Sequence, residues 1–240
     1  MSRDDLRRPL PLPYHPLYRF YEGGALTRQF RGLPERPDDW WSEDWVGSCT
    51  LAGNADPDGR VQGLSTVDLP SGQVTLKSLA EAWPEEMGDA SVLVKLLSPS
   101  GPVPLHAHPT RAWARRHLGS PFGKTEAWIL LDTPGDGTEP AYAGIGFQPG
   151  LTREWFAGDV TEFFDATVLE VADEIEVADG RFSIAIVTAG DGWAEGDFGR
   201  QPLRKGQTFA WPASLSLRLR AGRAPLRVVR CLGPGGEVIR

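Results

Sequence analysis

Apolar and polar residues alternate with period two through the last part of the chain. Leu215, Leu217 and Leu219 fall on one side of an extended backbone, while Ser216, Arg218 and Arg220 fall on the other. Residues 167–177 (TVLEVADEIEV) alternate in the same way, 182–188 (FSIAIVT) form an apolar strand, and 226–229 a closing strand. Asp179-Gly180 and Gly190-Asp191-Gly192 mark turns, and Lys205-Gly206-Gln207 leads into TFAWPA. Upstream, 91–97 (SVLVKLL) reads as a buried strand and 127–131 (AWILL) as another. Residues 133–140 read as a hairpin-type loop, with 141–147 (AYAGIGF) as the returning strand. Helical spacing is confined to short pieces. Leu76, Leu79 and Trp83 recur at threes and fours until Pro84 limits them, and Thr110 caps a brief helix that Gly119 ends. Residues 1–24 are Pro-rich and then aromatic, which predicts an extended arm lying on the domain; 25–51 are turn-rich and 52–62 a loop.

Composition supports the same picture. With 28 glycines and 21 prolines among 240 residues, turn chemistry is abundant, and a helical bundle is a poor fit. The apolar share of 40% and the charged share of 24% are those of a chain with a core. The predicted fold class is mainly β, a sandwich or small barrel with a few short helices.

Net charge is −7, which disfavours nucleic acid and anionic membrane as partners. The charge is uneven. Residues 200–240 hold nine bases and one acid, whereas 154–179 hold nine acids and no base. Two elements of opposite sign can pair in one sheet, or each can be a solvated strand face. The two cysteines, Cys49 and Cys231, form no metal spacing and no disulfide framework, and read as buried thiols in a reducing cytoplasm. No apolar run approaches 18 residues, and the polar, Pro-rich start is not a signal peptide.

Candidate chemistry centres on histidine. Of the four, His15 reads as structural and His117 as solvated on its helix. His106 and His108 stand as His-Ala-His. On a strand these positions face one side, so both imidazoles converge, as a metal ion with nitrogen ligands requires. Glu126, opening the next predicted strand, supplies the carboxylate that completes a three-ligand set.

These segments carry a resemblance. LVKLL, then LHAHP, then GSPFGKTEAWILLD are similar to the V-K-L-L, Q-x-H-P and G-K-T-E-x-W pattern of class I mannose-6-phosphate isomerases, zinc enzymes of the cupin superfamily. SEDWVGS and the tail from TVLEVADEIEV to LRKGQTFAWPAS also resemble that family, so the likeness touches both ends and about two thirds of the chain. It implies cupin-like (jelly-roll) β-barrels, a cytoplasmic enzyme, Zn2+ or another divalent metal, and a sugar phosphate as partner. Two stacked units are expected, 1–158 with the arm and metal site, and 159–240. By position, His108 and Glu126 match family ligands, His106 stands where the family has Gln, and Lys124 matches a lysine that faces the substrate. The chain departs from the family in two respects. No later P-A-G-x-x-H-A segment exists, so Ser214 or Leu215 occupies the place of the second His. WFAGDV runs directly into TEFFDATVLEV, so relative to the family the chain is shortened in the middle. Zinc-dependent aldose–ketose isomerisation is therefore expected. The alternatives are a non-catalytic cupin-fold module that binds sugar or metal and, third, another metal-cupin activity.

Overall fold

Short apolar stretches between turns have no partner within themselves, so they must pair at long range. In the computed structural model, which describes residues 3–103, 108–131 and 164–233, they do so in two compact units. The first comprises Met1–Pro104 with Phe164–Gly236, and the second Leu105–Phe163 with Glu237–Arg240.

The first unit opens with a 3-10 turn, Arg3–Leu6, followed by β1 (Leu10–Pro11), β2 (Pro16–Leu17) and helix α1 (Ala25–Phe30). Strands β3 (Glu43–Val46), β4 (Thr66–Leu69) and β5 (Gly72–Thr75) come next, then helices α2 (Leu76–Ala82) and α3 (Pro84–Met87) and strand β6 (Val94–Leu97). Thr75 caps α2 by accepting from Ser78 N, and Pro84 opens α3 at a position that lacks a helical acceptor in any case. After α4 (Arg111–Leu118), which belongs to the second unit, the first unit resumes with β7 (Asp165–Val171), β8 (Glu174–Val177), β9 (Ser183–Ala189) and β10 (Asp191–Gly196). It ends with β11 (Gly199–Arg204), β12 (Thr208–Trp211), β13 (Leu217–Ala221) and β14 (Leu226–Leu232).

Among the described residues, pairing between strands is antiparallel. A five-stranded sheet, β1-β12-β9-β14-β7, packs on a four-stranded one, β11-β10-β13-β8; β2-β3-β6 and β4-β5 form two smaller sheets. The five-stranded sheet is a middle layer, and β9 shows why its sequence is apolar at successive positions. Ile184 and Ile186 enter one core with Leu6, Leu10, Leu76, Leu79 and Met87. Ala185 and Val187, pointing the other way, enter a second core with Leu203, Leu217, Leu219 and Leu226. Each fully buried Leu or Ile contributes about 1.5–3 kcal/mol of transfer free energy, so both faces of β9 are committed.

The expected arm does lie on the domain. Leu10 pairs with Ala210 and Pro11 with Phe209, so the arm becomes the edge strand of the middle sheet, where proline costs no ladder bond. The opposite charges also meet in the sheets. Arg218 faces Glu176, Arg220 faces Glu174, and Arg227 faces Glu170.

Three expectations change. The alternating 167–177 segment is two strands, β7 and β8, broken at Ala172-Asp173. Gly190-Asp191-Gly192 is a turn only at Gly190 (φ +73°), and a hairpin, β10–β11, follows at once. Residues 127–131 are not a strand: they have no regular structure, and Ile129, Leu130 and Leu131 are exposed, because no ladder partner stands beside them among the described residues. The predicted loop 133–140 and strand 141–147 lie outside the described residues. Among those described, no helix is long and apolar enough to cross a membrane.

Candidate functional site

The expected metal ligands belong to the second unit. Its described chain begins at His108, just before Pro109 and Thr110. The Thr110 hydroxyl accepts from Trp113 N and caps α4, whose last turn carries Arg115, Arg116 and His117, favourable against the helix C-terminus. Gly119 (φ +64°) ends the helix in the left-handed conformation. The chain then folds back, and Lys124 N donates to the Pro109 carbonyl at 2.9 Å. Gly123 makes this return possible: a Cβ there would lie 2.7 Å from both Arg111 N and Pro109 O, closer than a side chain tolerates.

The return brings three of the four predicted residues together. His108 Nδ1 lies 3.1 Å from the Lys124 carbonyl oxygen and 3.6 Å from Glu126 Oε2. Lys124 Nζ lies 3.4 Å from the same Oε2. Trp128 Nε1 donates to the other oxygen, Glu126 Oε1, at 2.7 Å. Burial pushes the Glu126 carboxyl up, but the Trp128 hydrogen bond, Lys124 and His108 outweigh it and hold the group below the ordinary carboxylate range. The fourth residue, His106, lies outside the described residues. His108 and Glu126 sit on irregular backbone, so they meet by chain reversal and not by neighbouring strands.

An imidazole nitrogen and a carboxylate oxygen are donors that suit zinc and related divalent ions. The Lys124 carbonyl can only accept, so His108 Nδ1 carries the hydrogen in that contact and Nε2 is the nitrogen whose lone pair suits a metal. The 3.6 Å from Nδ1 to Glu126 Oε2 brings the two side chains to one place and is not itself a spacing between two ligand atoms. Two donors are fewer than a catalytic site needs, and among the described residues no group of three or more His, Cys, Asp or Glu side chains stands ready for a metal.

The remaining histidines are as expected, His117 exposed on its helix and His15 structural. His117 stacks on Trp113 at 4.6 Å between ring centroids. His15 gives its backbone to β3, donating to Asp44 Oδ1 at 2.8 Å and accepting from Trp45 N at 3.1 Å, while burial lowers its imidazole pKa. Burial also pushes both thiols, Cys49 and Cys231, up to about 11, which suits packing and not nucleophilic attack. Leu215, one of the two residues where the family's second His is expected, is buried in the apolar core between the two large sheets.

One charged cluster was not foreseen. Glu43 is 4% exposed, in the first unit. Its Oε1 accepts from Tyr21 OH at 2.6 Å and Arg19 Nε at 3.1 Å; its Oε2 accepts from Trp45 Nε1 at 2.6 Å and faces Lys95 Nζ at 3.2 Å. Burial pushes this carboxyl up, but Lys95, Tyr21, Trp45 and Arg19 together hold it low. The neighbouring Asp44, fully buried, points the other way to Arg31 Nε at 3.2 Å. The signal available in sequence was two adjacent acids inside S-E-D-W-V and a single lysine inside the apolar run SVLVKLL.

Antiparallel sheets packed as a jelly roll, with few and short helices, place the chain in the cupin fold class. Among solved structures it is similar to a protein of Archaeoglobus fulgidus provisionally named a mannosephosphate isomerase, with a TM-score of 0.65 and 16% identity over 98% of this chain and 100% of that one. It is also similar to the mannose 6-phosphate isomerase of Bacillus subtilis, with a TM-score of 0.60 and 16% identity over 93% of this chain and 99% of that one. No sequence-family model and no curated protein sequence matches the chain. At such identities the likeness defines the fold: that of the cupin-type mannose-phosphate isomerases.

Proposed function

We propose that the chain is a cytoplasmic aldose–ketose isomerase that interconverts mannose 6-phosphate and fructose 6-phosphate or acts on a similar sugar phosphate. The observation that carries this reading is the approach of His108 to Glu126, 3.6 Å apart, within a fold shared with mannose-phosphate isomerases over nearly the whole chain. His106, His108 and Glu126 would hold the metal, zinc or a related divalent ion. Bound there, the ion supplies Lewis acidity toward the substrate oxygens that gain charge during enediol formation.

The chain's own groups supply the rest. The Lys124 ammonium, half-exposed beside Glu126, would meet an anionic oxygen or the phosphate of the sugar. Trp128 and Lys124 keep Glu126 ionised, as a ligand must be. Glu126 is then not the base that moves the proton between C1 and C2, because its electron pairs are engaged. The test is formation of fructose 6-phosphate from mannose 6-phosphate by zinc-loaded protein, with His108→Ala beside it. Turnover that the substitution abolishes is expected; turnover untouched by it, or none at all in the wild type, overturns the reading.

The burial of Leu215 in an apolar core favours one alternative, a cupin-fold module that binds sugar or metal without turnover. For such a module, sugar phosphates raise the melting temperature of the protein while no product forms.

A further inference from the structure

A carboxylate has two equivalent oxygens, and left alone it turns either toward a cation or chelates with both. Glu126 is not left alone. Its Oε1 is taken by the Trp128 indole N–H at 2.7 Å. Only Oε2 faces His108 Nδ1 at 3.6 Å and Lys124 Nζ at 3.4 Å. An indole offers one hydrogen, fixed in the plane of a large ring. A bond of this length therefore sets both the rotation of the carboxylate and the oxygen that remains available.

The ring itself is not explained by burial. Trp128 is 48% exposed, and a large apolar surface left in water is a cost that a polar residue at this position avoids. What a phenylalanine would lack at the same place is the N–H. We infer that Trp128 is a positioning residue for Glu126, fixing that carboxylate so that Oε2 alone is presented to the metal; this rests on the reading of Glu126 as a ligand. Groups that hydrogen-bond a ligand orient it, and their loss typically weakens metal binding about 10–100-fold.

The experiment titrates Zn2+ against a chromogenic chelator in the full chain for wild type, Trp128→Phe, Glu126→Gln and the double variant, with melting of the metal-free proteins alongside. Zinc affinity is expected to fall about 10–100-fold in Trp128→Phe, and that loss to vanish in the Glu126→Gln background, because the indole acts through Glu126. Equal affinity in wild type and Trp128→Phe overturns the inference while leaving the ligand reading intact. A wild type that binds no zinc overturns both. Should metal-free Trp128→Phe melt lower, the double variant separates the roles. Zinc affinity lost in Trp128→Phe but unchanged by that substitution on the Glu126→Gln background supports the hydrogen bond whatever the melting temperature, and an equal loss in both backgrounds overturns the assignment.

Discussion

Lys95 Nζ lies 3.2 Å from Glu43 Oε2, from the strand next to Glu43's own, and 4.7 Å over the Trp45 ring. With Arg19 on the other oxygen, one buried carboxylate answers two cations from distant segments. Removing its charge leaves both cations facing a buried site without compensation. Glu43→Gln is expected to lower unfolding free energy by about 3 kcal/mol, the lower end for breaking a buried pair, because Lys95 and Arg19 keep partial access to water. Urea denaturation measures it, and a loss under about 1 kcal/mol, the value of an exposed pair, contradicts the account.

The two adjacent acids of β3 carry opposite pH signatures. Glu43 is held below its ordinary value of 4.5, so its stabilisation is complete above that pH and is lost as pH falls through the lower folded value. Asp44 is raised above its ordinary 3.8 by burial, which outweighs Arg31, so the folded state takes up its proton first and gains stability as pH falls toward 3.8. The stability gap between wild type and Glu43→Gln should therefore narrow below about pH 4.5. The gap between wild type and Asp44→Asn should shift in favour of the wild type as acid is added. Parallel profiles for the two variants would show that burial and pairing do not divide these residues as described.

Two arginines three residues apart on β14 should differ sharply. Arg227 meets Glu170 at 2.9 Å with both side chains more than half exposed. Arg230, 6% exposed at its side chain, forks onto Asp179 at 2.8 and 3.2 Å and reaches Ser183 at 3.1 Å. Arg227→Ala should cost less than about 1 kcal/mol, and less still in salt. Arg230→Ala should cost roughly 2 kcal/mol, since it removes charged hydrogen bonds but leaves Asp179 partly in water. Calorimetric melting of both variants at low and high salt decides the ordering.

Gly123→Ala tests how the candidate site is assembled. A methyl group 2.7 Å from Arg111 N and Pro109 O must push the Lys124–Glu126 strand of chain away from His108. Zinc affinity should drop by about 10-fold or more, with little change in the first unit's melting. Unchanged affinity would show that the chain reversal does not set the His108–Glu126 distance.

Much of the middle and C-terminal architecture is legible because it rests on local rules. The Thr110 cap and Gly119 stop bound α4, the 215–219 alternation marks β13, and the opposed charges of 154–179 and 200–240 allow, without selecting, the Glu174–Arg220 and Glu170–Arg227 pairings. The β10–β11 hairpin was hidden because Gly190-Asp191-Gly192 reads as a turn and 193–204 show no clear alternation, although the β10–β11 ladder and the packing of Ala194 and Leu203 make them strands. Strand β3 was hidden because its two buried acids look like surface, and only Arg19, Lys95 and Arg31, far away in sequence, make their burial tolerable. AWILL read as a strand from its apolar run, yet propensity alone supplies no partner. His108, Lys124 and Glu126 were found through a motif whose glycine works by close backbone approach, and Trp128's hydrogen bond needed the structure.

Zinc titration tests the central claim most directly. Wild-type protein stripped of metal should take up about one zinc per chain at the catalytic type of site, gaining several degrees in Tm by mass action, while His108→Ala and Glu126→Ala each lose this uptake. Uptake by both variants equal to that of wild type, or no uptake by wild type, would contradict it.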